Sequence, residues 1–324
     1  MREVTLSARQ LVAAVALAGG DVTELSPVPP LGGPDLLDDA DDPEFRNLAD
    51  QHVLERDDDA WRINAMAAAV VGTCARPEEV LTLRPLDPSA PVISACRLGD
   101  LWVQCQVSED GTTRLVIPWT RDLMIALVMG ALTGESPEPA PSGFRFRGSA
   151  SEAFALCALV RRLTRRRSEV TEDAGGDAIF EATEDFTRVA AFSSIAGPDA
   201  VDRLTTTLER GRILGALAHD GYLERRDGAL HLSPAAALAL AEPAVGGVAI
   251  ERWSLSEAGA PMVNAIQAYR AGERILVFRV IPSATSDDVE MEWAEVSRAE
   301  LRAMALGTLV PPDQVQAVVE AAAT

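Results

Sequence analysis

Histidine, the side chain most often used in acid–base catalysis, occurs only three times in this sequence, at His52, His219 and His231. There is no G-x-S-x-G nucleophile motif, no H-E-x-x-H zinc motif, no G-x-x-x-x-G-K-[ST] loop and no G-x-G-x-x-G after a predicted strand. Carboxylates are so numerous that no acid–base pair stands out. The residues therefore predict no catalytic site and no cofactor. An enzyme whose site the sequence conceals stays open as a third interpretation.

The cysteines are the next group that could do chemistry. Cys74, Cys96, Cys105 and Cys157 all lie in apolar runs, form no C-x-x-C pair and have no histidine at metal-ligand spacing. This pattern is typical of buried free thiols in a reducing compartment. The acidic segment 35–44 lacks the alternating carboxylates and the glycine of a calcium loop, so it predicts a solvated loop. No metal site is predicted.

The charge balance limits the possible partners. The net charge is −20 at pH 7, and every basic residue is arginine because the sequence contains no lysine. A surface this acidic repels phosphate backbones, which argues against a nucleic-acid partner. Five arginines cluster in residues 161–167, at a predicted helix end where cations are favoured. We expect this cluster to pair with the acidic segment 169–185, and phosphate binding is the alternative.

Two copies of one stretch organise the chain, at residues 48–64 and 217–233. They align without a gap, and seven residues recur, from Leu48, Leu54 and Glu55 in the first copy to Leu217, Leu223 and Glu224 in the second. Each copy reads as a helix end, a charged turn and alternating apolar positions. This order predicts the helix and hairpin of a winged-helix-like unit.

The elements around the two copies follow the same order in each half. Each half begins with helices, continues with a four-strand antiparallel meander and ends with a helix. Neither meander has enough helices to cover both faces of a sheet, so we expect the two to join in one central sheet. The sequence therefore predicts an α+β fold with pseudo-twofold symmetry. Residues 1–132 would be the first half, 133–148 a linker rich in proline and glycine, and 149–324 the second half.

Several helices carry recognisable start signals. Ser7 with Gln10, and Ser149 with Glu152, have capping-box spacing. The first box favours a structural helix over a signal peptide, although the apolar run 11–18 could suggest one. A helix over residues 121–132 is apolar almost all round, so we expect it to be buried. No apolar run reaches the length needed to span a bilayer. We expect a cytoplasmic protein.

A family resemblance emerges from residues 48–107. The helical run 65–71, the segment Ala75-Arg76-Pro77-Glu78-Glu79 leading into a strand, and the hairpin through Gly99 resemble the N-terminal half of EspG-type proteins. These are cytoplasmic chaperones of actinobacterial type VII (ESX) secretion. The second half has Val245-Gly246 where the first has Arg76-Pro77, and the Asp-rich loop is a further departure from the family pattern.

The resemblance implies a non-enzymatic binding protein. EspG-type chaperones hold the apolar tip of a helical PE–PPE pair and keep it soluble until export, so the implied partner is a helical secreted protein or protein pair. The acidic charge would suit such a soluble chaperone. The second hypothesis is a winged-helix-like regulator that binds DNA, which the net charge argues against.

The sequence offers one candidate surface for a partner. In the strand predicted over residues 101–107, Leu101, Val103, Cys105 and Val107 form an apolar face. The opposite face carries Trp102 beside Gln104 and Gln106. An aromatic residue flanked by amides is a common interface composition, so these three are the predicted partner-binding residues. The alternative is that a helix of its own half covers Trp102.

Overall fold

The computed structural model describes most of residues 3–310. It leaves out residues 29–42, 157–169, 172–206 and 282–289, and shorter gaps at 58–59, 86–88, 109, 118, 134–136, 150, 154, 227–228, 241–243 and 257–258. The acidic segment 35–44 lies almost entirely outside the described residues. The arginine cluster 161–167, Cys157 and the helix expected over residues 311–323 also lie outside them. Among the described helices, none combines the length and the apolar character that crossing a membrane requires.

Secondary structure in the first half follows the predicted order. Strand β1 (Glu3–Leu6) precedes helices α1 (Ala8–Leu17) and α2 (Pro43–Asp50), the hairpin β2 (Leu54–Asp57) and β3 (Ala60–Ile63), and helix α3 (Ala65–Ala75). The meander then comprises β4 (Glu79–Pro85), β5 (Ile93–Leu98), β6 (Leu101–Val107) and β7 (Thr113–Val116), and α4 (Arg121–Leu132) closes the half. The β1 strand was not predicted.

The second half repeats much of this order. It comprises β8 (Arg145–Ser149), β9 (Val170–Thr171), α5 (Thr207–His219), the hairpin β10 (Leu223–Arg226) and β11 (Ala229–Leu232), and α6 (Pro234–Leu240). The meander is β12 (Ala244–Leu255), β13 (Pro261–Ala271), β14 (Arg274–Ile281) and β15 (Glu290–Val296), followed by α7 (Arg298–Leu309). Strand β8 occupies the end of the segment predicted as a linker.

One ten-stranded sheet contains both meanders, in the order β1-β7-β6-β5-β4-β12-β13-β14-β15-β8. Each half contributes five strands, and each places its first strand, β1 or β8, at an edge of the sheet, antiparallel to its last meander strand. Counted inward from either edge, the strand order is therefore the same: the first strand of the half comes first, followed by its meander strands from last to first. The mixed helix and strand content and this antiparallel sheet confirm the predicted α+β class with a central sheet.

Packing divides the chain into two compact units. The first comprises Met1–Met129, Val248–Ala265 and Ala305–Thr324, and the second comprises Gly130–Gly247 and Ile266–Met304. The units differ from the predicted sequence halves because the first unit also takes in most of β12, the start of β13 and the chain from Ala305 onward. The division into sequence halves stays a prediction.

The core of the first unit lies on one face of its meander. Helix α3 contacts β5 and β6, and α1 packs on α3. Leu11, Val70, Cys74 and Val103 are among the buried residues of this core. The N-terminus of α1 has the predicted capping box, in which Ser7 Oγ accepts from Gln10 N at 3.2 Å and Ser7 N donates to Gln10 Oε1 at 2.9 Å. This box fixes where α1 begins.

The core of the second unit is more aromatic. Phe144 meets Trp293 edge-on with ring centroids 5.4 Å apart, and Phe146 lies 5.0 Å from Tyr222. The Tyr222 hydroxyl accepts a hydrogen bond from the Arg147 backbone N–H at 3.3 Å. Because β8 is an edge strand, this contact occupies a backbone donor that would otherwise be open to another chain.

Both repeated stretches have the same local structure. The Val53 N–H donates to Leu48 O and the Tyr222 N–H to Leu217 O, each at 2.9 Å. Each hairpin then closes in the same way, since Asn64 N–H donates to Val53 O and Ser233 N–H donates to Tyr222 O, again at 2.9 Å. Leu54 and Leu223, the matched apolar positions, are both buried. The described residues therefore contain the helix–hairpin unit twice.

Helix α4 differs from its prediction. We expected it to be buried on all sides, but Leu123 and Leu127 are 46% and 42% exposed, and Ala126, Gly130 and Ala131 are exposed as well. Met124, Val128 and Leu132 lie on the opposite side and are buried. The expectation was wrong because an all-round apolar composition cannot tell how many neighbours a helix will have.

Candidate functional site

The histidines occupy structural positions. His52 follows the end of α2 with a positive φ of 58°, and its counterpart in the second repeat is Gly221, with φ of 80°. Such left-handed residues commonly end helices. His219 is the last residue of α5, and His231 pairs with Glu224 across the second hairpin. Within the described residues, no three His, Cys, Asp or Glu side chains are arranged to hold a metal ion.

Three of the four cysteines are buried free thiols, as predicted. Cys74 on α3, Cys96 on β5 and Cys105 on β6 are each at most 1% exposed. A hydrogen bond with Cys74, and then burial, raise the pKa of the Cys105 thiol well above its ordinary value of 9.0. The Cys105 thiol is therefore protonated at neutral pH, which makes it a poor nucleophile and a poor metal ligand.

Trp102 lies half-buried on β6, on the face opposite Val103 and Cys105. The Arg121 guanidinium, from the first residue of α4, lies 5.3 Å from the centroid of the Trp102 ring. The neighbouring Gln104 is 8% exposed, and Gln106 is half-buried. The Arg121 side chain, from a helix of the same half, therefore lies over a Trp102 that is only partly buried, and Trp102, Gln104 and Gln106 stay predicted partner-binding residues.

Beside Trp102, a buried carboxylate draws three arginines together. The Glu79 side chain, at the start of β4, is 3% exposed. Arg97 Nε approaches it at 2.9 Å, Arg252 Nε at 3.2 Å and Arg121 Nη2 at 3.5 Å. Arg97 also reaches the exposed Glu78 at 3.1 Å. We call Glu78, Glu79, Arg97, Arg121 and Arg252 the Glu79 cluster.

Sequence reasoning missed this cluster. Its five residues are spread over 175 positions of the chain, from Glu78 to Arg252, and none belongs to a recognisable motif. Only strand register places Glu79 opposite Arg97 and places Trp102 next to that pair. The sequence places Glu79 directly before the strand predicted over residues 80–83, but it indicated neither the burial of this side chain nor its partners.

A groove of about 660 Å³ opens on the other face of the same strands. The hydroxyl residues Thr82 and Ser94 contribute to it, with Arg84 and Glu24 as its charged residues. Its apolar lining includes Leu25, Val80, Val92, Val107, Trp253 and Pro261. The alternation along β6 predicted that Val107 and Cys105 share an apolar face, but nothing in the sequence indicated that part of that face is open.

Comparisons with known proteins give one kind of match. No family model matches the sequence, and no curated protein matches it. Among solved structures, the fold is similar to that of the Mycobacterium tuberculosis type VII secretion system chaperone EspG5, solved in complex with the PE25–PPE41 dimer. The likeness has a TM-score of 0.55 and 12% sequence identity, and it covers 95% of this chain and 97% of the other. At this identity the comparison establishes a shared EspG-like fold.

Proposed function

We propose that this chain is a non-enzymatic chaperone of a type VII secretion system, and that it holds a helical PE–PPE-type pair in the cytoplasm before export. The observation that carries the proposal is the fold. It matches a solved chaperone, itself bound to a PE–PPE dimer, over nearly the whole of both chains. The residue-level resemblance in residues 48–107 points to the same family independently of the coordinates.

The physical properties of the chain support this function. A net charge of −20 keeps a chaperone soluble while it holds an apolar partner. The first unit presents two surfaces that a partner could use, one on each face of strands β4–β6. One surface surrounds Trp102 and Arg121, and the other is the 660 Å³ groove. Tryptophan and arginine are the residue types most enriched among interface hot spots. We therefore place the main partner contact at Trp102.

The proposal is tested by co-expressing the chain with a PE–PPE-type pair from the same genome and measuring the affinity of the purified proteins. Trp102→Ala is expected to weaken binding by at least ~2 kcal/mol, roughly 30-fold, because a hot-spot ring is lost. Trp61→Ala is the matched control, since Trp61 is also half-buried beneath an arginine, with Arg56 5.8 Å from its ring centroid. This control is expected to bind within two-fold of the wild type.

Val92→Glu decides between the two faces. Val92 lines the groove and precedes β5, so the substitution places a charge in the groove outside the strand. Unchanged binding by Trp102→Ala together with lost binding by Val92→Glu would move the contact to the groove. A pair that fails to bind the folded wild type at micromolar concentrations would contradict the chaperone proposal itself. Thermal unfolding of each variant establishes that it is folded.

A further inference from the structure

The Glu79 cluster carries an excess of positive charge. It contains three guanidinium groups and two carboxylates, which leaves a net charge of +1 among groups in direct contact. This is a local exception in a chain whose net charge is −20. The four groups other than Glu78 are more than two-thirds buried, with side-chain exposures of 29%, 24% and 13% for Arg97, Arg121 and Arg252. Water therefore screens the excess charge less than it would at an open surface.

Arg121 has unused hydrogen-bonding capacity and is more exposed than Arg252, the other arginine of the cluster whose Nε has no hydrogen-bond partner. Arg97 donates to Glu79 at 2.9 Å and to the Gly99 carbonyl at 3.1 Å. Arg121, in contrast, makes its carboxylate contact at 3.5 Å, and its buried Nε has no hydrogen-bond partner in the described structure. A guanidinium has five N–H donors arranged to bind a carboxylate in a bidentate manner. Arg121 thus retains donors, and a quarter of its side chain is accessible.

Trp102 holds this arginine in place. The guanidinium carbon lies 5.3 Å from the ring centroid, within the range of a cation–π interaction. Glu79 contacts the same group at 3.5 Å. A guanidinium held between a ring and a carboxylate loses little further conformational freedom when a ligand binds, and such preorganisation increases affinity.

We propose that Arg121, positioned by Trp102 and Glu79, binds one carboxylate from an aspartate or glutamate side chain of the protein partner. The net charge of +1 matches a single carboxylate, whereas a phosphate dianion would overcompensate it in an already acidic chain. The planar fork of arginine matches the planar carboxylate. That a protein partner supplies the carboxylate rests on the proposed chaperone function. That Arg121 binds a carboxylate rests on the Glu79 cluster alone.

Arg121→Gln tests the inference, because it removes the charge and keeps a polar side chain. The affinity for the PE–PPE-type pair is expected to fall about ten-fold, equivalent to about 1.4 kcal/mol. The difference from the wild type is expected to shrink between 0.05 and 0.5 M NaCl, since salt screens the charge–charge attraction. Arg121→Lys keeps the charge and loses the planar fork, so its affinity is expected to lie between those of the wild type and Arg121→Gln. It replaces Arg121→Gln if that variant does not fold.

The control is Arg56→Gln, which removes an arginine stacked in the same way on Trp61 of the β2–β3 hairpin. It is expected to bind within two-fold of the wild type at both salt concentrations. Equal affinities of Arg121→Gln and Arg56→Gln would overturn the inference, even if the pair binds and the chaperone function stands.

A second experiment needs no partner. Acetate, added to the wild-type protein at constant ionic strength, is expected to shift the NMR signal of Arg121 Nε–H and to leave that of Arg56 unmoved. The two signals are assigned by their loss in the Gln variants. If no PE–PPE-type pair binds, the chaperone proposal fails, and a shifted Arg121 signal then identifies a site for a free carboxylate. An unmoved Arg121 signal in that case overturns the carboxylate site as well.

Discussion

At the residue scale, short polar motifs decide where helices begin. The box predicted at Ser149 and Glu152 forms, with Glu152 N donating to Ser149 Oγ at 3.3 Å and Ser149 N donating to Glu152 Oε2 at 2.8 Å. A third box, at Ser297 and Glu300 before α7, was not predicted although its spacing is the same. Such motifs need only four consecutive residues, so the sequence alone is sufficient to specify them.

The Ser297–Glu300 box makes stability depend on pH. Hydrogen bonds from the Ser297 backbone N–H and then its hydroxyl lower the pKa of Glu300 from its ordinary value of 4.5. A carboxyl group with a lowered pKa stabilises the folded state above about pH 4.5, and this contribution is lost as pH falls through the folded-state value. Glu300→Gln retains the hydrogen-bonding shape without the charge. We expect the wild type to be more stable than the variant at pH 7.

Urea unfolding of both proteins between pH 7 and pH 3.5 measures this difference. It is expected to narrow as the pH falls below 4.5. A difference that is constant across the range would show that the ionised form of Glu300 contributes nothing specific. Gln10, which serves in the same position of the Ser7 box without a charge, shows that a glutamine is compatible with the motif.

At the scale of elements, the composition of α4 predicted where the helix lies but not how it packs. The helix was predicted with the correct bounds, because its apolar run and its start at Thr120 are local features. Its burial was not predicted correctly, because one side contacts no other described element closely enough to bury Leu123 and Leu127. Period and propensity identify a helix, whereas exposure depends on residues distant in the sequence.

Two matched substitutions in α4 measure the difference in burial between its two sides. Leu132 is 1% exposed and Leu127 is 42% exposed. Leu132→Ala is expected to destabilise the protein by about 2–5 kcal/mol, because it leaves a cavity. Leu127→Ala is expected to change stability by about 0.5 kcal/mol or less, as exposed substitutions usually do. Chemical denaturation provides both values. Equal losses would mean that the outer side of α4 is covered in solution.

At the scale of the whole molecule, the net charge and the architecture point to opposite conclusions about DNA binding. The two helix–hairpin units have the appearance of DNA-binding modules, and the second hairpin carries Arg225 and Arg226. The net charge of −20 acts on every approach to DNA, whereas the arginines act locally. We therefore expect the long-range repulsion to dominate.

Fluorescence anisotropy with labelled duplex DNA tests this expectation. At 150 mM salt no binding is expected below about 100 µM protein, the weak end of ordinary non-specific affinity. A protein of similar size with a basic surface is the positive control. Saturable binding at micromolar protein would favour the regulator hypothesis over the chaperone proposal.

Within the described ranges, the sequence by itself determined the helices and most strands, the repeated helix–hairpin unit and the α+β class, because each depends mainly on residues close together in the chain. It also determined which residues of β6 share a face. Tertiary structure alone decided what covers each face: Arg121 lies over Trp102, Arg252 reaches Glu79, and the groove stays open beside Val107. These contacts join positions far apart in the chain, and periodicity in one strand carries no information about the partner that a fold will bring to it.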